Sequence, residues 1–402
     1  MTVDSGTATV DADPGTESTG TGIGADGTGA SGSAAAGASS GDSSTMLHAA
    51  DEAEAMELLH AMGCTDGLPV VVPTRERVDR LVLATGLDAD TLLGEMGPGG
   101  GAVTVEKIAV NCVMAGCLPD HVPVVVAAIR ALLQPEFDLG EVQSTTHSIA
   151  PLTIVNGPVV DHCDIASGFG ALGPGHRANA AIGRAVRLCL MNIGDARPGV
   201  SDMALLGHPG KYGFCLAEDE RSSPWEPWSH SIGYGADESA VTIVGTEAPH
   251  SVLFTNDADD PDSPARLLRC LAAVIANTGS NNVNFGAGAV VVALNPEHAD
   301  VLAGAGMSRS DVQSELQRLA TVRRSVLRSL NPGFVRPGGD DDEMPAVRRP
   351  DDVVLVVAGG SGLYSAVFPS WAAGAHRNPI VHEAIVTGES CEIPWARAAL
   401  DG

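Results

Sequence analysis

Apolar positions along this chain fall into two alternating patterns. Short runs of strand length occur at Val70–Val72, Leu152–Val155, Val241–Val244, Ala289–Leu294 and Val353–Val357. The last two are continuous and rich in β-branched residues, as in strands covered on both faces. Between the runs lie stretches whose apolar residues recur every three or four positions. Thr104–Ala115 puts Val105, Ile108, Ala109, Cys112 and Val113 on one helical face, with Gly116 as the stop. Ala178–Ile193 repeats the pattern with Ile182, Ala185, Val186, Cys189, Leu190 and Ile193, so Cys112 and Cys189 read as core residues. Glu297–Ala305 and Asp311–Leu330 read as two helices joined at Gly306, with Ser310 and Gln313 spaced as a capping box. The alternation predicts an α/β fold, a mixed or mostly parallel sheet (or sheets) flanked by helices. No internal repeat is evident in the sequence.

Composition divides the chain unevenly. Residues 1–45 are almost all Gly, Ser, Thr, Ala and Asp, with no Lys or Arg. Such a segment buries too little to offset its ordering entropy, so a disordered acidic tail is expected there. The remainder of the 402 residues suits two α/β subdomains, 46–225 and 226–402, divided where prolines, tryptophans and charges interrupt the periodicity between Glu218 and Gly235. The longest apolar run, Val122–Leu133, is broken by Pro123 and Arg130. It reads as a buried helix, because a bilayer span needs roughly 18 to 20 apolar residues. No membrane partner is expected.

Charge narrows the partners further. The net charge is −27 and the chain has only two lysines, Lys107 and Lys211, so nucleic acid is excluded as a natural partner. Eight cysteines are spread singly apart from Cys112 and Cys117, and no Cys-x-x-Cys occurs. Free thiols in a cytoplasmic setting are the expectation, and neither a zinc ribbon nor a thioredoxin-type dithiol is supported.

The strongest chemical candidate is Cys117, in Met114-Ala-Gly-Cys-Leu-Pro-Asp-His121. One helix ends at Gly116 and another begins near Pro119 or Asp120, so the thiol lies close to a helix N-terminus that favours an anion and lowers its pKa. His121, one turn on, is a proton partner in reach; a small residue at a tight corner is the plain structural alternative. His147 follows Thr145 and Thr146 at the edge of the Leu152–Val155 strand and is a second candidate base.

Glycine loops supply the candidate binding residues. Gly168, Gly170 and Gly173 lead through His176 and Arg177 into a helix, a context suited to a carboxylate or phosphate. No strand runs directly into this loop, which argues against dinucleotide binding. Lys211, in Gly207-His-Pro-Gly-Lys-Tyr212, is a further anion-holding candidate. Gly359 and Gly360 follow the Val353–Val357 strand as a ligand-loop candidate at the carboxyl edge of a sheet. Cys117, His147 and His162 together form an alternative metal-ligand set.

Several strings taken together resemble the UGSC-like (seleno)protein family of bacterial proteins. They are Asp66-Gly-Leu-Pro-Val70, Val110-Asn-Cys-Val-Met-Ala-Gly-Cys117, Thr145-Thr-His147, Pro296-Glu-His298 before Ser310-Asp-Val312, and Val356-Val-Ala-Gly-Gly360. The resemblance covers most of residues 60–375 and implies thiol or selenol chemistry. The Cys-Gly-Ser-Cys motif of that family is absent, so no family active-site residue transfers.

The expectation is an enzyme acting on a small anionic molecule through Cys117, as nucleophile or redox thiol, with His121 or His147 as proton partner. A metal-dependent lyase or hydratase, and a non-catalytic small-molecule- or partner-binding subunit using Trp225 and Trp228, are the alternatives. No cofactor is legible. A homo-oligomer is compatible with the sequence.

Overall fold

The computed structural model describes residues 2–4, 46–286, 288–333, 335 and 337–387. The expected tail therefore lies outside the described residues except for Thr2–Asp4, which pairs in parallel with Met46–His48.

Eight strands form two four-stranded sheets. They are β1 (Ala150–Asn156), β2 (Cys215–Ala217), β3 (Ala240–Thr246), β4 (His250–Leu253), β5 (Val290–Leu294), β6 (Val353–Val357), β7 (Tyr364–Phe368) and β8 (Val381–Ala384). The first sheet has the order β8-β3-β1-β2 and the second β4-β7-β5-β6. In each, one pair is parallel (β1 with β2, β5 with β6) and the other neighbours are antiparallel.

The helices that flank them are α1 (Val105–Ala115), α2 (Val122–Leu132), α3 (Arg177–Asn192), α4 (Ser263–Ile275), α5 (Pro296–Gly304) and α6 (Arg309–Leu319). The sheets pack face to face through Leu152, Ile154, Val244, Val291, Val354, Val356 and Phe368. The outer face of the first sheet, with Val155, Val241 and Ile243, packs on α1, α2 and α3. The outer face of the second, with Val292, Leu355 and Val367, packs on α4, α5 and α6. The result is a four-layer α/β/β/α arrangement. Both faces of every central strand are covered, which is why those strands read as continuous rather than alternating apolar runs.

The two sheets are topological copies. Advancing each of β1 to β4 by four strands reproduces the second half, and each half donates its last strand to the other's sheet, β4 to the second and β8 to the first. The same edge contact recurs in both: Phe254 N–H donates to the Leu363 carbonyl at 3.0 Å, and Ile385 N–H to the Ser239 carbonyl at 2.8 Å. Thr246 and Ser370 occupy matching positions and bridge one another where the copies meet. Around them Trp371 N–H donates to the Gly245 carbonyl and Glu247 N–H to the Pro369 carbonyl. This internal repeat was not evident in the sequence, because burial pattern and pairing recur while residue identities do not.

Three local expectations are corrected. Val70–Val72 joins no sheet among the described residues; Val71 N–H donates instead to the Met114 carbonyl at the end of α1. The expected Asp311–Leu330 helix breaks at Ala320, where Thr321–Arg323 forms a strand with Glu343–Pro345 before a short helix at Arg324–Leu330. The capping box of α6 lies two residues earlier than expected, between Ser308 and Asp311. Among the described residues, no helix is long and apolar enough to cross a membrane.

Candidate functional site

Helix α1 ends as its sequence dictates. Gly116 adopts φ 83°, a left-handed conformation that glycine enters without steric cost. Two backbone bonds close the end: Gly116 N–H to the Val113 carbonyl and Cys117 N–H to the Cys112 carbonyl, both 2.9 Å. These are the two hydrogen bonds of a Schellman cap, in which the residue after the glycine returns over the last helical turn. Cys117 is thereby folded back against Cys112.

Cys117 is 9% exposed and Cys112 fully buried. The corner is not purely hydrocarbon. Cys112 and His121 both stand close enough to favour negative charge on the Cys117 sulfur. His121 Nδ1 accepts the Leu118 N–H at 3.2 Å, which leaves Nε2–H as the donor of the ring. The exposed Arg177 guanidinium donates to the Gly116 carbonyl at 3.1 Å and adds positive charge. Cys112 is the largest influence; together with His121 and Arg177 it outweighs burial and holds the Cys117 thiol below the ordinary range. One contact works the other way: the Ala181 carbonyl, 3.4 Å from Sγ, accepts the proton of the neutral thiol.

Cys112 pays the opposite electrostatic penalty, its thiol pushed well up by burial and by Cys117. Three more thiols stand close. Burial pushes Cys163 up to about 12, with Asp120 and Cys117 adding to it. Cys189 and Cys215 are likewise raised, first by burial and then by Cys117. Within this group of five only Cys117 is shifted toward the thiolate.

The expected partners separate into two places. His121 and Arg177 lie with Cys117. His147 does not: it sits before β1, with Nε2 2.9 Å from Glu247 Oε1 and Nδ1 3.0 Å from Asn281 Nδ2, beside the junction of the two copies. His208 lies in the same neighbourhood, pushed down to about 4 by burial and the Lys211 charge. Lys211 is taken up by Asp202 at 2.9 Å and by the Ile149 carbonyl at 3.2 Å, so its ammonium serves the fold.

His162 is an exposed residue 3.7 Å from Asp120, apart from His147. Among the described residues no three His, Cys, Asp or Glu side chains gather as they would around a metal ion, so the alternative set Cys117, His147 and His162 does not converge.

The two glycine loops do meet. Gly359 N–H donates to the Ser167 carbonyl at 2.7 Å, and the exposed Phe169 ring lies where a Cβ on Gly360 would stand. Gly168 is open; Gly170 and Gly173 close a tight turn through a 2.6 Å backbone bond, and His176 Nε2 meets the Phe169 carbonyl. Nearby, at the carboxyl ends of the parallel strands, lies a charged group that the motif reading missed. Glu218 is buried and bonded to Arg309 at 2.8 Å, to Asn156 Nδ2 at 2.6 Å and to Trp228 N–H at 2.7 Å. Its signal was the position after β2, paired with an Arg distant in sequence. Trp228 is buried and Trp225 half-buried against the second core, so neither forms the exposed interface considered for them.

No protein-family model matches the chain, and no curated protein matches it.

Proposed function

We propose that the protein is an enzyme that uses Cys117 as a thiolate nucleophile on a small anionic molecule. The observation that carries this reading is the set around one sulfur, Cys112, His121 and Arg177, gathered at a glycine-stopped helix end. Each stabilises negative charge on sulfur, and a thiolate, not a thiol, is the reacting species. Arg177 stands exposed over the Gly116 carbonyl, where it attracts a carboxylate or phosphate to the rim of the same turn. Attack by sulfur forms one bond as the leaving group departs with its electron pair and takes its proton from water; His121 Nε2–H is the ring's hydrogen-bond donor beside the sulfur. This chemistry agrees with the thiol function implied by the UGSC-like resemblance.

Paired alkylating reagents test the anion requirement. Iodoacetate should modify Cys117 faster relative to iodoacetamide than it modifies the half-buried Cys64, and Arg177→Gln should abolish that preference. Equal preference at both cysteines, unchanged in the variant, contradicts the anionic-substrate reading.

A further inference from the structure

We propose that Cys112 and Cys117 form a two-cysteine redox centre, in which a hydroperoxide oxidises Cys117 and Cys112 then closes a disulfide with it. This rests on the thiolate reading of Cys117 and adds a substrate class and a second reacting residue.

The geometry follows from the helix cap. In a Schellman motif the side chain two positions past the helix end meets the side chain of its last full turn, a contact usually made by two hydrophobic residues. Here those positions are Cys117 and Cys112, tied by the 2.9 Å bond between the N–H of one and the carbonyl of the other. The string Cys112-Val-Met-Ala-Gly-Cys117 therefore makes a dithiol out of a helix stop. Each thiol also influences the other's ionisation, Cys112 favouring the thiolate at Cys117. They are also ordered by access: Cys117 retains 9% exposure and Cys112 has none. An incoming oxidant meets Cys117 first, and Cys112 waits behind it.

The steps balance. The Cys117 thiolate attacks one peroxide oxygen, the O–O bond breaks, and the departing alkoxide (or hydroxide) takes a proton from water. Cys117 is then a sulfenic acid. The Cys112 sulfur attacks the Cys117 sulfur, its proton leaves with the displaced hydroxide as water, and the S–S bond forms. Two thiols and one hydroperoxide give one disulfide, one alcohol and one water. An added dithiol reverses the change by exchange.

The test treats the reduced full-length chain with one equivalent of hydrogen peroxide, blocks remaining thiols with N-ethylmaleimide, and maps tryptic peptides by mass. The fragment Ile108–Arg130 holds Cys112 and Cys117 and no other cysteine. It should lose two hydrogens, escape the block, and regain both reactive thiols after dithiothreitol. In Cys112→Ala and Cys112→Ser, Cys117 should accumulate as a sulfenic acid captured by dimedone. Linkage of Cys117 to Cys163, Cys189 or Cys215, or recovery of the fragment blocked at both cysteines, overturns the redox centre. Alkylation of the reduced chain separates this failure from that of the underlying reading. Fast labelling of Cys117 without a disulfide removes the redox centre alone; slow labelling removes both.

Discussion

Cys117 lies against Cys112 because Gly116 turns left-handed between them, and the Cys117 N–H closes on the Cys112 carbonyl at 2.9 Å. The thiol pair is thus held by backbone conformation. A Cβ added at Gly116 meets no atom within 4 Å, so substitution there meets conformational strain and no clash. Gly116→Ala is expected to cost about 1 kcal/mol of stability and to slow Cys117 alkylation as the cap loosens. Gly116→Asn should cost less, since Asn tolerates this region. Urea midpoints and site-resolved labelling of the two variants check the order; Ala matching wild type in both would contradict it.

The Glu218–Arg309 pair ties β2 of the first copy to α6 of the second, with both side chains buried. Burial raises the Glu218 pKa, and Arg309 acts against that rise. Arg309→Leu strands a buried carboxylate and is expected to cost about 3 kcal/mol. Adding Glu218→Gln to that variant should recover part of the loss, because the stranded charge is gone. Urea unfolding of the single and double variants measures both; a double variant no more stable than Arg309→Leu argues against the pairing.

His208 gives the protein an acid limit. Its folded pKa is pushed down to about 4, first by burial and then by Lys211, against an unfolded value near 6.5. Above that unfolded value both states are neutral and the contribution to stability is complete. As pH falls from about 6.5 to about 4, the unfolded chain binds a proton that the folded chain resists, and stability declines. His208→Asn keeps an acceptor for the Gly210 N–H, which His208 Nδ1 accepts at 3.1 Å, and should flatten this decline. Urea midpoints at pH 7 and pH 5 should lie closer together in the variant than in wild type; the same separation in both would place the acid sensitivity elsewhere.

Much of the fold was legible because burial writes itself into the pattern. β5 and β6 were continuous apolar runs since each is sandwiched between a sheet and a helical layer. Gly116 announced the end of α1, and α2 showed as a buried helix too short to span a bilayer. Val70–Val72 had the composition of a strand but no neighbour to pair with, and pairing is a tertiary fact. Ala320 broke a helix that propensity alone would continue, because Thr321–Arg323 found a partner strand near residue 344. At the site, adjacency in sequence found Cys117 and His121, while Arg177 was singled out by the glycine loop before its helix and only the fold brings it to the Gly116 carbonyl. It also assigned Cys112 to the core, which its burial supports, without showing that a cap would press it onto Cys117. His147 could not be excluded from that corner by spacing; its hydrogen bonds to Glu247 and Asn281 place it with the other end of β1.

Site-resolved alkylation of the reduced full-length chain by iodoacetamide, followed across pH, tests the central claim most directly. An ordinary thiol near 8.5 is only a few per cent ionised at pH 7, so full ionisation there gives Cys117 about thirtyfold more thiolate. The expected result is a Cys117 rate already level at pH 7, while Cys64, whose pKa burial raises, still climbs above pH 8. A Cys117 rate that rises in step with Cys64, or no labelling of Cys117 in the folded chain, would contradict a reactive thiolate at this helix end.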